Sequence, residues 1–109
     1  MLDYGASLGA DKLEDFRARV RRFAYAVQSV MQPLGALVLP TTPGQAFDFD
    51  GPTPTDLADL TVIATAAGLP AASVPLPTED DLPAGLQVVT AQGEDLLACE
   101  LARRFESVA

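Results

Sequence analysis

Between Leu13 and Leu34 the apolar residues follow a regular beat: Leu13, Phe16, Val20, Phe23, Val27, Val30 and Leu34, at alternating steps of three and four. Such steps draw one stripe along a helix, so the pattern predicts a long amphipathic helix from about Asp11 to Gln32. Asp11 offers an N-cap oxygen, and Glu14 three residues later completes a capping-box-like pair. Pro33 and Gly35 are expected to stop the helix.

The pattern then changes. Ala36-Leu37-Val38-Leu39 is apolar at consecutive positions and bounded by Gly35 and Pro40. It reads as a strand buried on both faces, which needs helices on either side of its sheet. Residues 40–55 are rich in Pro, Thr, Gly and Asp and predict a loop. A second helix is expected from Thr55 or Asp56, with Leu57, Leu60, Ala64 and Ala67 inward. Gly68 is placed to adopt the left-handed C-terminal position, before Leu69 and Pro70.

Ala71–Val74 reads as a second strand closed by Pro75, and Gly85–Thr90 as a third. The acidic turn between them predicts that these two strands pair. A last helix, from about Glu94 to Glu106, carries Leu97, Leu101 and Phe105 on one face. Glu94 and Asp95 at its start and Arg103 and Arg104 near its end suit the helix dipole. The order is αβαββα, an α/β arrangement with a sheet between helix layers. The expected organisation is one partial domain over 1–109, with a leading helix in 1–35 and the αβ part in 36–109.

Charge removes several function classes. Seven Lys and Arg stand against fifteen Asp and Glu, a net −8. Phosphate backbones are held by clustered cations, so nucleic acid is not an expected partner. Arg17, Arg19, Arg21 and Arg22 do cluster, but they spread around the helix behind Asp11, Glu14 and Asp15, which reads as a solvated face. No run approaches the roughly 20 apolar residues of a membrane span. Met1–Gly5 lacks the basic start and apolar run of a signal peptide. Cys99 is the single cysteine, so no internal disulfide can form, and a reducing cytoplasm is the expected compartment. On its Leu-rich helix it reads as a small core or boundary residue.

Reactive groups are scarce. The chain has no histidine, which excludes imidazole catalysis and imidazole metal sites within it. Asp48-Phe49-Asp50-Gly51 resembles the start of a calcium loop, yet Thr53 and Asp59 stand where that loop needs its glycine and its final glutamate. Glu79, Asp80 and Asp81 read as a solvated turn. Ser7, Ser29, Ser73 and Ser107 have no adjacent base in sequence, and Lys12, the one lysine, opens a helix. Neither a phosphate-binding glycine loop nor a nucleophile elbow occurs. No catalytic residue, metal ligand or cofactor is expected in these residues.

Four stretches in order carry a resemblance. Leu37-Val38-Leu39-Pro40-Thr41-Thr42-Pro43 is similar to the Pro-Thr-x-Pro strand end of the amidase signature family. Ala58-Asp59-Leu60-Thr61, with Ala67-Gly68-Leu69-Pro70-Ala71 and Ser73-Val74-Pro75, resembles that family's next helix–turn–strand unit. Leu82-Pro83-Ala84-Gly85-Leu86-Gln87-Val88-Val89 resembles its Leu-Pro-x-Gly-Leu-Gln strand. Glu94, Leu96, Leu97, Phe105 and Glu106 are similar to its closing helix. Thr65 departs from the pattern, standing where the family commonly has Asn.

The resemblance implies the C-terminal segment of a mixed-sheet amidase signature fold. It also implies chemistry at an amide carbonyl through an acyl-enzyme on serine, activated by a second serine and a lysine. Those groups lie far upstream in family members, so this chain is expected to be inactive alone and to contribute sheet and pocket wall. Thr41, Thr42 and Asp59 are the residues that the resemblance places at the substrate, a small amide. Gly68, Pro70, Gly85 and Gln87 read as structural. The competing reading is a non-catalytic interaction or regulatory subunit that completes a partner. Under both readings, self-association or a partner chain is expected to cover the sheet.

Overall fold

The computed structural model describes residues 2–108; Met1 and Ala109, the ends of the expected spans, lie outside the described residues. The elements are α1 (Leu2–Ser7), α2 (Ala10–Leu34), β1 (Ala36–Pro40), α3 (Val62–Ala67), β2 (Ala71–Leu76), β3 (Ala84–Thr90) and α4 (Asp95–Val108). The α/β class and the order of the six expected elements hold, with α1 as an addition before them.

α2 begins one residue before the expected cap. Gly9 is the N-cap in an extended conformation, and no side chain caps the helix. Leu13 N–H bonds the Gly9 carbonyl at 3.1 Å. The Asp11–Glu14 capping box therefore does not form; Glu14 instead takes Arg21 Nη2 at 2.7 Å. Pro33 lies inside the last turn rather than ending it. A proline there removes one N–H, but Gly35 N–H still reaches the Met31 carbonyl at 2.9 Å, and Gly35, with φ 79°, turns the chain out.

β3 is the central strand, with β1 and β2 antiparallel on either side. The register sets Leu37 and Ala71 opposite Val89, and Leu39 and Ser73 opposite Gln87. Strand alternation puts these residues on one face. That face meets α2 and α3, where Met31, Ala64, Ala67, Leu69 and Val89 make the core, with Ala24, Val27, Leu37 and Leu39 packed against it. Gln28 Nε2 ties α2 to α3 through the Ala67 carbonyl at 2.7 Å. The other face, with Val88 fully buried, meets α4, whose buried residues are Ala98 and Ala102. Small residues at that contact bring α4 close to the sheet, and the expected Leu97 contact is rotated outward, leaving Leu97 exposed.

The sheet does lie between helix layers, but the cover is uneven. β1 is an edge strand, and Val38 is 43% exposed, so Ala36–Leu39 is not buried on both faces as its composition predicts. β2 runs to Leu76, through Pro75; an edge strand tolerates a residue without an N–H. Cys99 is also exposed, contrary to the core or boundary reading. The molecule is a slab of 49 × 43 × 16 Å with a radius of gyration of 16.5 Å. A compact chain of this length would have about 13 Å, so the core is thin and much apolar surface faces outward.

Candidate functional site

The three residues singled out at the substrate do not share one place. Residues 41–61 contain no helix or strand, and Asp59 belongs to a turn before α3 rather than to its first helical turn. That turn is held by Asp59 N–H on the Asp56 carbonyl at 3.0 Å and by Thr61 Oγ1 on the Ala58 carbonyl at 3.2 Å. Gln87 reaches in from β3 and takes the Leu60 carbonyl as well. These contacts delay α3 until Val62, so Asp59 does not cap it. Its side chain is exposed. Thr42 folds back locally, its Oγ1 donating to the Gly44 carbonyl at 2.7 Å.

Thr41 is held from several directions. Its N–H donates to the Gly85 carbonyl at 2.8 Å, continuing the β1–β3 ladder beyond Pro40. Its Oγ1 lies 2.5 Å from Ser73 Oγ on β2. The approach to β3 is so close that a Cβ on Gly85 would stand 2.8 Å from both Cβ and Oγ1 of Thr41. Glycine at 85 is thus a requirement of the Thr41 position, not of backbone dihedrals.

Around Thr41 and Ser73 lies a hollow of about 350 Å³, also lined by Thr61, Thr65, Leu69 and Gln87. Gln87 is 2% exposed. Its Nε2 donates to the carbonyls of Pro40 (3.1 Å) and Leu60 (3.2 Å), which uses both amide hydrogens. Its Oε1 receives no hydrogen bond from the described residues. The Thr41–Ser73 pair shares one hydrogen between two hydroxyls, which leaves the other hydroxyl hydrogen uncommitted. The wall therefore offers an acceptor and a donor in a neutral setting: no Lys, Arg, Asp or Glu lines it.

Asn- or Gln-like amides carry both an N–H donor and a carbonyl acceptor, so this wall has the polarity to receive one. It does not have the means to cleave one. Among the described residues, Ser73 faces Thr41 and not a base. Ser7 and Lys12 line the same hollow at the α1–α2 corner, but Ser7 Oγ donates to the Tyr4 carbonyl at 2.7 Å and makes no bond with Lys12. No three Cys, Asp or Glu side chains converge to hold a metal ion among the described residues. Also among them, no helix is long and apolar enough to cross a membrane.

Sequence reasoning singled out Thr41 but neither Ser73, which bonds it, nor Thr61 and Thr65, which share its hollow. A hint was available in Gly85, since a glycine inside a strand often marks close backbone approach. It also treated the acidic turn as merely solvated. In the structure Asp80 accepts Thr78 Oγ1 at 2.6 Å and Gln45 Nε2 at 2.8 Å. Gln45 Nε2 also lies 2.6 Å from the Leu82 carbonyl, so the turn is tied to the loop after β1. The Thr78 hydroxyl, and then the Gln45 amide, hold the Asp80 carboxyl below its ordinary range.

The Amidase family model matches residues 5–99. The A subunit of the Thermus thermophilus glutamyl-tRNA(Gln) amidotransferase is 40% identical over 79% of the chain, and that of a Synechococcus strain 39% identical over 90%. The chain spans about a fifth of these relatives' length, 19% and 21%. In fold it is similar to the crystal structure of the same subunit from Thermotoga maritima, with a TM-score of 0.67 at 24% identity, over 93% of this chain and 28% of that one. Family match, sequence relatives and fold agree: the chain belongs to the Amidase family and corresponds to one part of such a protein.

Proposed function

We propose that the chain supplies sheet and pocket wall to an amide-processing active site, and that it does not turn over amides by itself. The observation that carries this reading is the neutral hollow at Thr41, Ser73 and Gln87, which offers hydrogen-bond partners but no nucleophile–base pair. Activated serine chemistry needs a base in contact with the hydroxyl, and none touches Ser73. The substrate is a small amide, bound together with residues outside this segment. Thr41 acts at the wall, with Thr42 shaping its loop; Asp59, exposed in the preceding turn, meets the substrate's polar end from outside the hollow. The work is that of a cytoplasmic amide C–N hydrolase.

Transfer of the released amide nitrogen is a second reading, favoured by the sequence relatives, which are the A subunits of glutamyl-tRNA(Gln) amidotransferases. The test is a chimera in which this chain replaces the matching segment of the Thermus thermophilus protein. Amide turnover by the chimera, with KM raised by Thr41→Val and kcat little changed, supports the wall role. Turnover by the isolated 109-residue chain that is lost on Asp59→Ala overturns it.

A further inference from the structure

One side chain joins two parts of the wall that lie far apart in the chain. Thr41 follows Pro40 at the end of β1, and Asp59 precedes Leu60 in the turn before α3. Between them, residues 42–58 form no helix or strand, and their hydrogen bonds stay local or run elsewhere. Thr42 bonds Gly44, Gly51 bonds Asp48, and Gln45 reaches the turn at Thr78, Asp80 and Leu82. Among the described residues, Gln87 alone bonds both ends. Its Nε2 gives one hydrogen to the Pro40 carbonyl at 3.1 Å and the other to the Leu60 carbonyl at 3.2 Å.

Gln87 is placed to set this spacing rather than to follow it. It stands on the central strand, in register with Leu39 of β1 and Ser73 of β2, and is 2% exposed. An enclosed side chain holds one rotamer, and its planar amide fixes the directions of both N–H groups. The peptide unit joining Pro40 to Thr41 is gripped twice by β3, its carbonyl by Gln87 and its N–H by the Gly85 carbonyl at 2.8 Å. The Leu60 carbonyl shares its peptide unit with Thr61, which lines the hollow.

We infer that Gln87 is a positioning residue, whose amide sets the distance between the Thr41 wall and the turn carrying Asp59 and Thr61. This rests on the reading of the hollow as a substrate wall. Gln87 acts through those residues and not on the reacting atoms. Groups that hold a substrate work through distance, and a misplacement of about 1 Å costs on the order of 100-fold in a demanding case.

The test uses the chimera in which this chain replaces the matching segment of the Thermus thermophilus protein, with L-glutamine as the probe amide and ammonia release as the readout. A residue that only stabilises the fold changes the amount of active protein, and so the maximal rate, whereas a displaced wall changes KM. Gln87→Met is expected to raise KM roughly fivefold or more, with kcat per folded protein within about twofold. Gln87→Asn keeps the amide but shortens its reach by one methylene, and should raise KM as well. Thr90→Val, on the same strand and fully buried, loses a bond to the Glu94 carbonyl outside the hollow and should leave KM unchanged. KM raised by Thr41→Val but by neither change at Gln87 overturns the inference and leaves the wall standing; KM raised equally by Thr90→Val also overturns it. No turnover, or no response to Thr41→Val, counts against the wall itself. The joining of the two ends is then read on the 109-residue chain by nuclear magnetic resonance. Gln87→Met should shift the Thr41 and Thr61 amides together, and unmoved amides at both overturn the inference whatever the kinetics.

Discussion

Gln87 gives the sharpest test of how this segment holds its shape. It lies on the central strand, is 2% exposed, and spends both Nε2 hydrogens on carbonyls from two different places, Pro40 at the end of β1 and Leu60 in the turn before α3. Gln87→Met keeps the volume and flexibility but deletes both donors. A hydrogen bond of this kind contributes about 0.5–1.5 kcal/mol net, and a buried acceptor left without a donor costs about 1–3 kcal/mol. Pro40 lies in an exposed position and its carbonyl can regain water, whereas Leu60 is half-buried. The expected loss is therefore nearer the low end of the sum, about 2–3 kcal/mol.

Gln87→Glu separates a hydrogen-bonding role from a space-filling one. A carboxylate there would point oxygen at two carbonyl oxygens, inside a site that excludes most water. Burial and that repulsion raise the folded pKa above the unfolded value of about 4.3. The folded state then holds its proton more tightly, so stability falls as pH rises from the unfolded pKa to the folded one, and levels off above it. Protonated, the side chain restores one of the two donors. Urea unfolding followed by circular dichroism, run for wild type, Gln87→Met and Gln87→Glu across that range, measures both effects. Gln87→Glu should be the least stable of the three at neutral pH and approach or pass Gln87→Met in acid. Wild-type-like stability of Gln87→Met, within about 0.5 kcal/mol, would refute the clamp, since that is the spread of an unremarkable surface change.

Three further outcomes are expected. Gly85→Ala should cost about 1–3 kcal/mol, as overpacking does, because its Cβ would meet Thr41 at 2.8 Å; Thr41→Gly in the same chain should recover most of that loss in a double-mutant cycle by urea unfolding. Gly68→Ala should cost about 1 kcal/mol, since Gly68 has φ 65° where a Cβ meets the following carbonyl; the unfolding midpoint reports it. The Asp80 carboxyl is held below its ordinary 3.8, so its contribution is present above that value and lost as pH falls through the lower folded pKa; the stability difference between wild type and Asp80→Asn should shrink in acid.

Much of the fold was legible because local rules and tertiary packing agreed. The α2 stripe, the Gly68 cap and the β2–β3 pairing each followed from period or turn chemistry, and each occurs. Boundaries moved where tertiary contacts competed. The start of α3 shifted from Thr55 or Asp56 to Val62, after a turn whose Ala58 and Leu60 carbonyls are engaged by Thr61 and by Gln87 across the fold, which no local window contains. Of the residues around the hollow, only Thr41 stood out as a candidate in the sequence. Ser73, Thr61 and Thr65 come to it from β2 and from around α3, and side-chain proximity across strands depends on register. Asp59 belonged to a helix in the sequence reading and to a turn in the structure, so its direction could not follow from helical phase.

The remaining disagreement runs one way: residues whose pattern asks for burial stand exposed. Val38 comes from a strand with the composition of a two-sided core, and Phe16, Val20, Phe23, Val30 and Leu34 of the α2 stripe stand exposed although Val27 of that stripe is packed. Random surface apolar residues would not fall at three–four steps, nor would they adjoin an unpaired strand edge. Each sheet edge carries a proline, Pro40 in β1 and Pro75 in β2, but β1 still turns the N–H and C=O groups of alternate residues such as Val38 outward. The exposed stripe and the open edge meet at Leu37, which lines an apolar groove of about 270 Å³ together with Val30 and Leu34. Cover laid along α2 would therefore also reach the β1 edge, so the two surfaces should be protected together. Hydrogen exchange at the outward Val38 amide should be slower in the Thermus thermophilus chimera than in the isolated chain; equal exchange in the two would show that the edge stays open and break this link.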